Sequence, residues 1–320
     1  MLSLPENNSF AIHHLDRVYL SPISWGLGDL VLSLPVVQAL ISQGLNTSLV
    51  LRSSCQSGLA ERISGLAGVI LEAQLETMSL SANERHINLR DHPLQKDVWW
   101  GSLEYYEKYG DRKINDLLAS ISSDLGINCS FDVLQPLQSS LNHNLTDSIA
   151  LIPGSDGVQK CWPPERWLAL NSELNARGLK TVMLGQPDQS SIVGELIGSI
   201  PWFETPSLAD ALDAISSMRG VIAVDTGLMH LAVHQLRPTV ALFRPRAVYW
   251  RNYSHCAKVE AAFDCAPECY RGFTATGNNH LTSLVDYQPQ AWQCVRSPAE
   301  SCMHSISVND VLKVAEQKFS

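Results

Sequence analysis

Three segments of the sequence place glycine, hydroxyl and charged residues directly after a predicted β-strand. They are residues 24–35, 151–167 and 224–243. Ligands of open parallel sheets bind beyond the carboxyl ends of the strands, so we expect the three segments to face one cleft. Each segment also leads into a predicted helix, whose first turn offers unpaired N–H groups and the positive end of its dipole. This pattern predicts a ligand that contains phosphate.

The third segment, "VDTGLMHLAVHQLRPTVALF", has the densest set of such residues. Asp225 can accept a hydrogen bond from a ribose or sugar hydroxyl, and the N–H groups of Thr226, Gly227 and Leu228 can hold a diphosphate. The alternative is structural. In that interpretation Thr226 caps the helix, Gly227 lets the chain bend, and His230 faces the core.

The other two segments each support two interpretations. Gly28 lets a ligand approach the backbone, and Asp29 is either a functional carboxylate or a helix cap. Val31 stands where a dinucleotide fingerprint needs its third glycine, which argues against an NAD-dependent oxidoreductase. Ser155 and Lys160 precede a helix entered through prolines, where a lysine suits an anionic group. A solvated surface lysine is the alternative.

The composition is that of a globular protein with an acidic balance. Among 320 residues, 45% are hydrophobic and 17% charged, and 23 basic against 32 acidic residues give a net charge of -9. This charge argues against nucleic acid as a partner, since phosphate neutralisation needs a basic surface. It also disfavours broad attachment to anionic lipid, although a local basic patch would still permit a peripheral membrane contact.

The amino terminus lacks the basic start and apolar stretch of a signal peptide. The most apolar run, residues 30–41, has roughly half the length needed to span a bilayer. We therefore expect a cytoplasmic protein. Its eight cysteines are then expected to be thiols or metal ligands rather than disulfides.

Strand-like and helix-like segments alternate along both halves of the chain, which predicts an α/β fold with doubly wound parallel sheets. Around residues 136–148 the composition turns polar and periodicity stops, as expected for a linker. The predicted organisation is a first domain over residues 1–140 and a second over 141–305, which includes a cysteine-rich segment at 256–302. A terminal helix lies within 306–320.

The order of these motifs resembles glycosyltransferase family 9, the ADP-heptose:lipopolysaccharide heptosyltransferases. The resemblance rests on Gly28-Asp29 followed by "LVLSLPVVQAL", on "IPGS" with Lys160 and "WPPERW", and on the third segment. It implies the GT-B fold, in which two Rossmann-like domains enclose a cleft. The first domain would bind the acceptor and the second the nucleotide sugar, and the terminal helix would cross back to the first domain.

The resemblance also implies roles for individual residues. Asp29 matches the proposed general base of an inverting transfer, and a carboxylate suits that role because it is ionised at neutral pH. Preorganised N–H groups and a lysine can stabilise the leaving diphosphate, so catalysis needs no metal. The implied donor-binding set is Ser155, Lys160, Asp225, Thr226, Gly227, Leu228 and His230, with Asp188 or Gln189 near the ribose.

The acceptor side is less defined. The segment "NLRDHPLQKDVWWGSLEYYEKYG" is not one associated with the lipopolysaccharide enzymes, and its candidate residues join Gly28 on that side. A surface loop with buried tryptophans is the alternative. The acceptor can be a glycan, a lipid-linked glycan such as the lipopolysaccharide core, or a protein, and the oligomeric state stays open. The acceptor-side candidates are Gly28, Arg90, His92 and Lys96, with Trp99 beside them.

Four cysteines near the carboxyl terminus are candidates for a structural zinc or iron site: Cys265, Cys269, Cys294 and Cys302. Clustered thiols in a reducing compartment favour tetrahedral metal binding, although this spacing is looser than that of a Cys-x2-Cys pair. Some family 9 relatives that modify autotransporter proteins are similar in carrying a four-cysteine iron site. A set of unpaired thiols is the alternative.

Two functions from different classes follow from the sequence. The first is an inverting, metal-independent glycosyltransferase at the inner face of the membrane or in the cytoplasm, with ADP-heptose as the expected donor. The second is a non-catalytic nucleotide-sugar-binding or assembly protein of the same fold. Asp29, Lys160 and the Asp-Thr-Gly turn favour the enzyme.

Overall fold

Two separate parallel β-sheets organise the chain. The structure is a computed structural model. It describes residues 12, 15–95, 103–110, 112–141, 143–155, 157–188, 190–245, 247, 251–262 and 301–319. No helix in these ranges is long and apolar enough to cross a membrane. The two sheets with flanking helices confirm the predicted α/β fold class.

The first sheet has four parallel strands in the order β3-β2-β1-β4. Its strands alternate with helices, and the crossover from β1 to β2 is made by the long helix α1. Helix α1 ends before Gly44, whose φ of 82° stops the helix in a conformation that favours glycine. The elements are β1 (Arg17–Ser21), α1 (Leu27–Ser42), β2 (Asn46–Leu51), α2 (Ser57–Ala60), β3 (Gly68–Leu71), α3 (Glu72–Leu75), β4 (Glu84–Asn88), α4 (Leu103–Tyr109) and α5 (Ile114–Asp124).

The second sheet has five parallel strands in the order β6-β5-β7-β8-β9. Every residue of β7 and β8 is buried, as expected where helices cover both faces of a parallel sheet. The elements are β5 (Ser148–Ile152), α6 (Pro164–Ala176), β6 (Lys180–Met183), α7 (Ser191–Leu196), α8 (Leu208–Ser217), β7 (Gly220–Val224), α9 (Gly227–His234), β8 (Thr239–Phe243), β9 (Cys256–Glu260) and α10 (Val308–Phe319).

Helix α1 joins the two halves of the molecule. It packs against α9 of the second half, and α2 packs against α8. The core that surrounds α1 therefore continues from the first sheet into α8, α9 and one face of the second sheet. Almost all of α1 is apolar and ten of its residues are buried, because it contacts both its own sheet and the opposite half.

The linker between the halves is fixed by a buried carboxylate. Asp213 of α8 is fully buried and accepts hydrogen bonds from the N–H of Ser140 at 2.8 Å and the hydroxyl of Ser139 at 2.9 Å. Arg62 of the first half lies 3.0 Å from the same carboxylate. Asp213 therefore connects α8, the linker and the first half at one point.

Two sequence expectations differ from the structure. Helix α10 packs on α6, β8 and β9 of the second sheet, and not on the first domain as expected. Its apolar face, with Val311, Leu312, Ala315 and Phe319, joins the core cluster of that sheet. Strand β9 was not predicted, since "CAKVE" is short and lacks an apolar run. The boundary between residues 140 and 141 stays a prediction.

Candidate active site

The first turn of α9 has free hydrogen-bond donors. Thr226 occupies the cap position, but its side chain makes no capping hydrogen bond, so the structural interpretation of Thr226 is wrong. In the described part of the chain, the N–H groups of Gly227 and Leu228 have no hydrogen-bond partner. Both residues are partly exposed. The start of an eight-residue helix thus offers two main-chain donors and the positive end of its dipole.

Asp225 holds the neighbouring side chains together. Its Oδ2 lies 3.1 Å from the Nζ of Lys160, and its Oδ1 lies 3.8 Å from the Nε2 of His230. The hydroxyl of Ser155 donates to its carbonyl oxygen at 2.9 Å. Ser155 and Lys160 follow β5, Asp225 follows β7, and His230 lies in α9. Strands β5 and β7 are adjacent and parallel, so their carboxyl ends share one edge of the sheet. Four residues predicted from separate segments therefore form one cluster.

Lys160 is not a solvated surface lysine. Its side chain is 20% exposed and that of Asp225 is 8% exposed, so the ion pair is mostly shielded from solvent. A pair in such surroundings is stronger than one at the surface, and its geometry is better fixed. The pair places a positive charge beside the start of α9.

His230 is buried at the junction of the two halves. Burial lowers its pKa below the ordinary value, the nearby carboxylate of Asp225 opposes this effect, and the charge of Arg251 adds to it. The imidazole is therefore neutral at neutral pH. Arg251 is itself 1% exposed, and its Nη2 donates to the carbonyl oxygen of His230 at 2.9 Å.

The starts of α1 and α9 meet at two glycines. A Cβ on Gly28 would lie 3.0 Å from the Cδ2 of His230. A Cβ on Gly227 would lie 2.6 Å from the Cβ of Leu27, so only glycine fits at that position. The side chain of Leu27 therefore covers one side of the α9 tip.

Asp29 lies one residue beyond this contact. It belongs to the first turn of α1 and is half-buried, and its Oδ2 accepts a hydrogen bond from the N–H of Gly26 at 3.0 Å. The capping interpretation of Asp29 is therefore confirmed. It is compatible with a second role, because the same hydrogen bond fixes the carboxylate at the junction of the halves.

Two of the predicted acceptor-side residues are held by other protein groups. Arg90 donates to Glu72 at 3.0 Å, and its guanidinium lies 3.7 Å from the ring centre of Trp25. Burial lowers the pKa of Arg90, and Glu72 opposes the shift. The Nε2 of His92 lies 3.6 Å from a carboxylate oxygen of Asp124. Their role in acceptor binding stays a prediction.

Some predicted residues cannot be placed in the cluster. Asp188 is exposed in the turn after β6. Gln189, Lys96 and Trp99 lie outside the described residues.

Three of the four predicted metal ligands, Cys265, Cys269 and Cys294, also lie outside the described residues, and Cys302 is buried. The described residues contain no cluster of three metal-ligating side chains.

Three residues of the site were missed by sequence reasoning. Leu27 covers the α9 tip, Arg251 fixes the first turn of α9, and Gln159 adjoins Lys160. No local pattern marks Leu27 or Arg251. Gln159 directly precedes Lys160, a predicted donor-binding residue, and this sequence position was the one feature that could have indicated it.

The sequence is similar to a known protein family and to curated proteins. Residues 123–272 match the profile of glycosyltransferase family 9 (heptosyltransferase). The chain is 28% identical over 153 residues to lipopolysaccharide heptosyltransferase 2 of Salmonella typhimurium. This alignment covers 44% of this chain and 43% of that protein. The alignment thus spans less than half the length of this curated relative.

Solved structures resemble the whole described fold. A glycosyl transferase family 9 protein from Veillonella parvula superposes with a TM-score of 0.68 at 18% identity, over 96% of this chain and 98% of the other. The ADP-heptose lps heptosyltransferase II of E. coli gives a TM-score of 0.63 at 15% identity, over 95% and 98%. At these identities the similarity establishes the fold.

The two parallel-sheet domains give the chain a GT-B-like fold. By sequence, residues 123–272 are similar to glycosyltransferase family 9.

Proposed function

We propose that the protein is an inverting, metal-independent glycosyltransferase that transfers a sugar from a nucleotide sugar to an acceptor hydroxyl. One observation carries this proposal. Among the residues that the structure describes, the N–H groups of Gly227 and Leu228 at the tip of α9 have no hydrogen-bond partner, and Asp225, paired with Lys160, precedes this tip. The tip of α1, which bears Asp29, contacts the same helix. This arrangement supports a diphosphate site in one domain with a carboxylate from the other domain near it.

In the proposed reaction, the acceptor oxygen attacks the anomeric carbon while the bond from that carbon to the diphosphate oxygen breaks. The proton of the acceptor hydroxyl passes to the carboxylate of Asp29. Attack from the face opposite the leaving diphosphate inverts the configuration. The hydrogen bond from the N–H of Gly26 helps to keep the carboxylate in position.

The leaving diphosphate gains negative charge as the bond breaks. The N–H groups of Gly227 and Leu228, the helix dipole and the ammonium of Lys160 are fixed before the reaction, so they stabilise this charge without reorganisation. Removal of one such donor commonly slows an enzyme by about 10²–10³-fold. The proposed transfer takes its stabilising positive charge from these groups and not from a metal.

The substrates follow from the relatives and from the shape of the junction. ADP-heptose is the proposed donor, since a solved relative is named for it. Because Leu27 covers one side of the α9 tip, the diphosphate would approach from a side that Leu27 leaves open. Asp225 and His230 complete the donor pocket, with Asp188 and Gln189 near the ribose. The acceptor is a glycan, a lipopolysaccharide core or a protein, with Arg90 and His92 among its contacts.

A lipopolysaccharide core acceptor would bring the protein to the inner face of the inner membrane as a peripheral protein. The four cysteines at 265, 269, 294 and 302 are proposed as a structural zinc or iron site. None of the steps above uses them. Metal analysis of the purified protein and of a Cys302→Ser variant tests this site separately.

The proposed activity is tested by incubating the protein with ADP-heptose, excess EDTA and either heptose-deficient lipopolysaccharide core or a candidate protein acceptor. We expect release of ADP and a product whose anomeric configuration, determined by NMR, is opposite to that of the donor. Retention of configuration, or activity that EDTA abolishes and added metal restores, contradicts the proposed mechanism.

A further inference from the structure

The loop between β5 and α6 contains a buried amide without a partner. Gln159 is 7% exposed, and neither its Nε2 nor its Oε1 has a hydrogen-bond partner among the described residues. Buried amides are nearly always hydrogen-bonded, because an unpaired one has lost its water without compensation. An exception of this kind at a ligand site indicates a missing ligand group.

The position of Gln159 connects it to the proposed donor site. It directly precedes Lys160, whose Nζ lies 3.1 Å from Asp225. The hydroxyl of Ser155, on the other side of the turn, donates to the carbonyl oxygen of the same aspartate. Both sides of the loop are therefore attached to Asp225, with Gln159 on the turn between them.

The amide lies against the backbone of Gly157. A Cβ on Gly157 would stand 3.0 Å from the Nε2 of Gln159 and 3.3 Å from its Oε1. The N–H of Lys160 donates to the carbonyl oxygen of Gly157 at 2.8 Å, which closes the turn. Since the amide makes no hydrogen bond in this position, it can turn toward a ligand beside Lys160 without breaking one.

The two unpaired atoms restrict the chemistry of the ligand. Nε2 is a donor and Oε1 an acceptor, so a group that both accepts and donates satisfies the amide best. A phosphate oxygen at neutral pH mainly accepts, whereas a hydroxyl does both. In a nucleotide sugar, hydroxyls flank the diphosphate on two sides, on the ribose and on the transferred sugar.

We propose that Gln159 binds a ring hydroxyl of the nucleotide sugar, next to the diphosphate beside Lys160. This inference rests on the proposed function and adds a residue that sets donor specificity. Hydroxyl recognition by a buried amide discriminates strongly, because an analogue that lacks the hydroxyl leaves the amide unpaired again.

The test compares wild type with Gln159→Met, which keeps the length of the side chain and removes the amide. Calorimetric titration with ADP and with ADP-heptose gives the Kd of each. We expect Kd to rise about tenfold for a ligand whose hydroxyl is bound. We also expect the thermal midpoint of the ligand-free variant not to fall, since an unpaired amide has been replaced by an apolar group.

The pattern of losses identifies the hydroxyl. If Gln159→Met loses affinity for ADP-heptose alone, the bound hydroxyl belongs to the transferred sugar. If it loses affinity equally for both ligands, the hydroxyl belongs to the ribose. ADP-heptose analogues that each lack one ring hydroxyl extend the test. The effect of Gln159→Met should disappear with the analogue that lacks the bound group.

Gln95→Met is the matched control. Gln95 is a fully buried glutamine of the first domain whose Oε1 also lacks a partner, and its replacement should leave both Kd values unchanged. If wild type binds the ligands and Gln159→Met binds them equally well, or if its loss is the same with every deoxy analogue, the inference is overturned. If wild type binds neither ligand, the proposed function fails first and the inference with it.

Discussion

The ammonium of Lys160 lies 3.1 Å from a carboxylate oxygen of Asp225, directly before the first turn of α9. This ion pair keeps a cation in place beside the N–H groups of Gly227 and Leu228. A ligand anion therefore meets a charge that is already oriented, and little side-chain entropy is lost on binding.

Asp29→Asn tests the proposed base. The asparagine amide can still accept the hydrogen bond from Gly26 through its oxygen, but it cannot take up the proton of the acceptor. We expect kcat for transfer to fall by about 10²–10⁴-fold, with the Kd of the donor unchanged. Measurement of kcat together with calorimetric titration checks both parts. A full rate in Asp29→Asn contradicts the assignment.

Gly227→Ala tests the contact between α1 and α9. The added Cβ would overlap the side chain of Leu27, so we expect the free energy of unfolding to fall by about 1–3 kcal/mol. In the double variant with Leu27→Ala, Gly227→Ala should lower the free energy of unfolding much less, because the smaller side chain at position 27 leaves space for the added Cβ. Gly68→Ala is the control, since a Cβ there meets nothing within 4 Å. Equal effects of the two glycine variants, measured by urea denaturation, argue against the tight contact.

The ionisation of Asp213 makes the free energy of unfolding depend on pH in the acid range. Burial disfavours its ionised form, but the hydrogen bonds from Ser140 and Ser139 and the charge of Arg62 outweigh burial and lower its pKa below 3.8. Its contribution is thus complete above that value and is lost as the pH falls through the lower folded pKa. We expect Asp213→Asn to reduce the free energy of unfolding by about 1–3 kcal/mol at pH 6 and by less near pH 2.5. Asp132→Asn, at an exposed carboxylate, should show no such difference in urea denaturation.

His234 acts over a higher pH range. It is fully buried on α9, and burial together with the charge of Arg251 lowers its pKa from 6.5 to about 3. The unfolded chain then takes up a proton that the folded chain does not, so stability is lost as the pH falls below 6.5 toward 3. We expect protonation linked to this residue to lower the free energy of unfolding by roughly 2 kcal/mol between pH 7 and pH 4.5. In His234→Leu, the free energy of unfolding, measured by urea denaturation, should depend less on pH over that interval. The same pH dependence as in wild type contradicts the lowered pKa of His234.

Local sequence pattern predicted most elements of the fold. The alternation of apolar strands and helices predicted both parallel sheets. Ser307 caps α10, since its hydroxyl accepts a hydrogen bond from the N–H of Asp310 at 3.1 Å. The same pattern did not show where α10 packs. Its apolar face fits either domain equally well on the sequence alone, and the choice depends on the surface that the rest of the chain presents.

The sequence predicted that residues from separate segments lie close together, but it did not predict all of their contacts. Ser155, Lys160, Asp225 and His230 come together because the carboxyl ends of neighbouring parallel strands share an edge. Gly227 was predicted to bind the donor, with a bend in the chain as the alternative, and neither prediction included the side chain from the other domain that leaves room only for glycine there. A contact between residues 200 positions apart leaves no trace in local spacing.

The central claim is that the tip of α9 and Lys160 bind the diphosphate of a nucleotide. It is tested most directly by calorimetric titration of ADP, without added metal, into wild type and Lys160→Met. We predict one site per chain in wild type and a Kd about 10- to 100-fold higher in the variant, since a charge-assisted hydrogen bond is lost. Equal affinity in the two proteins, or no binding to wild type, would contradict the claim.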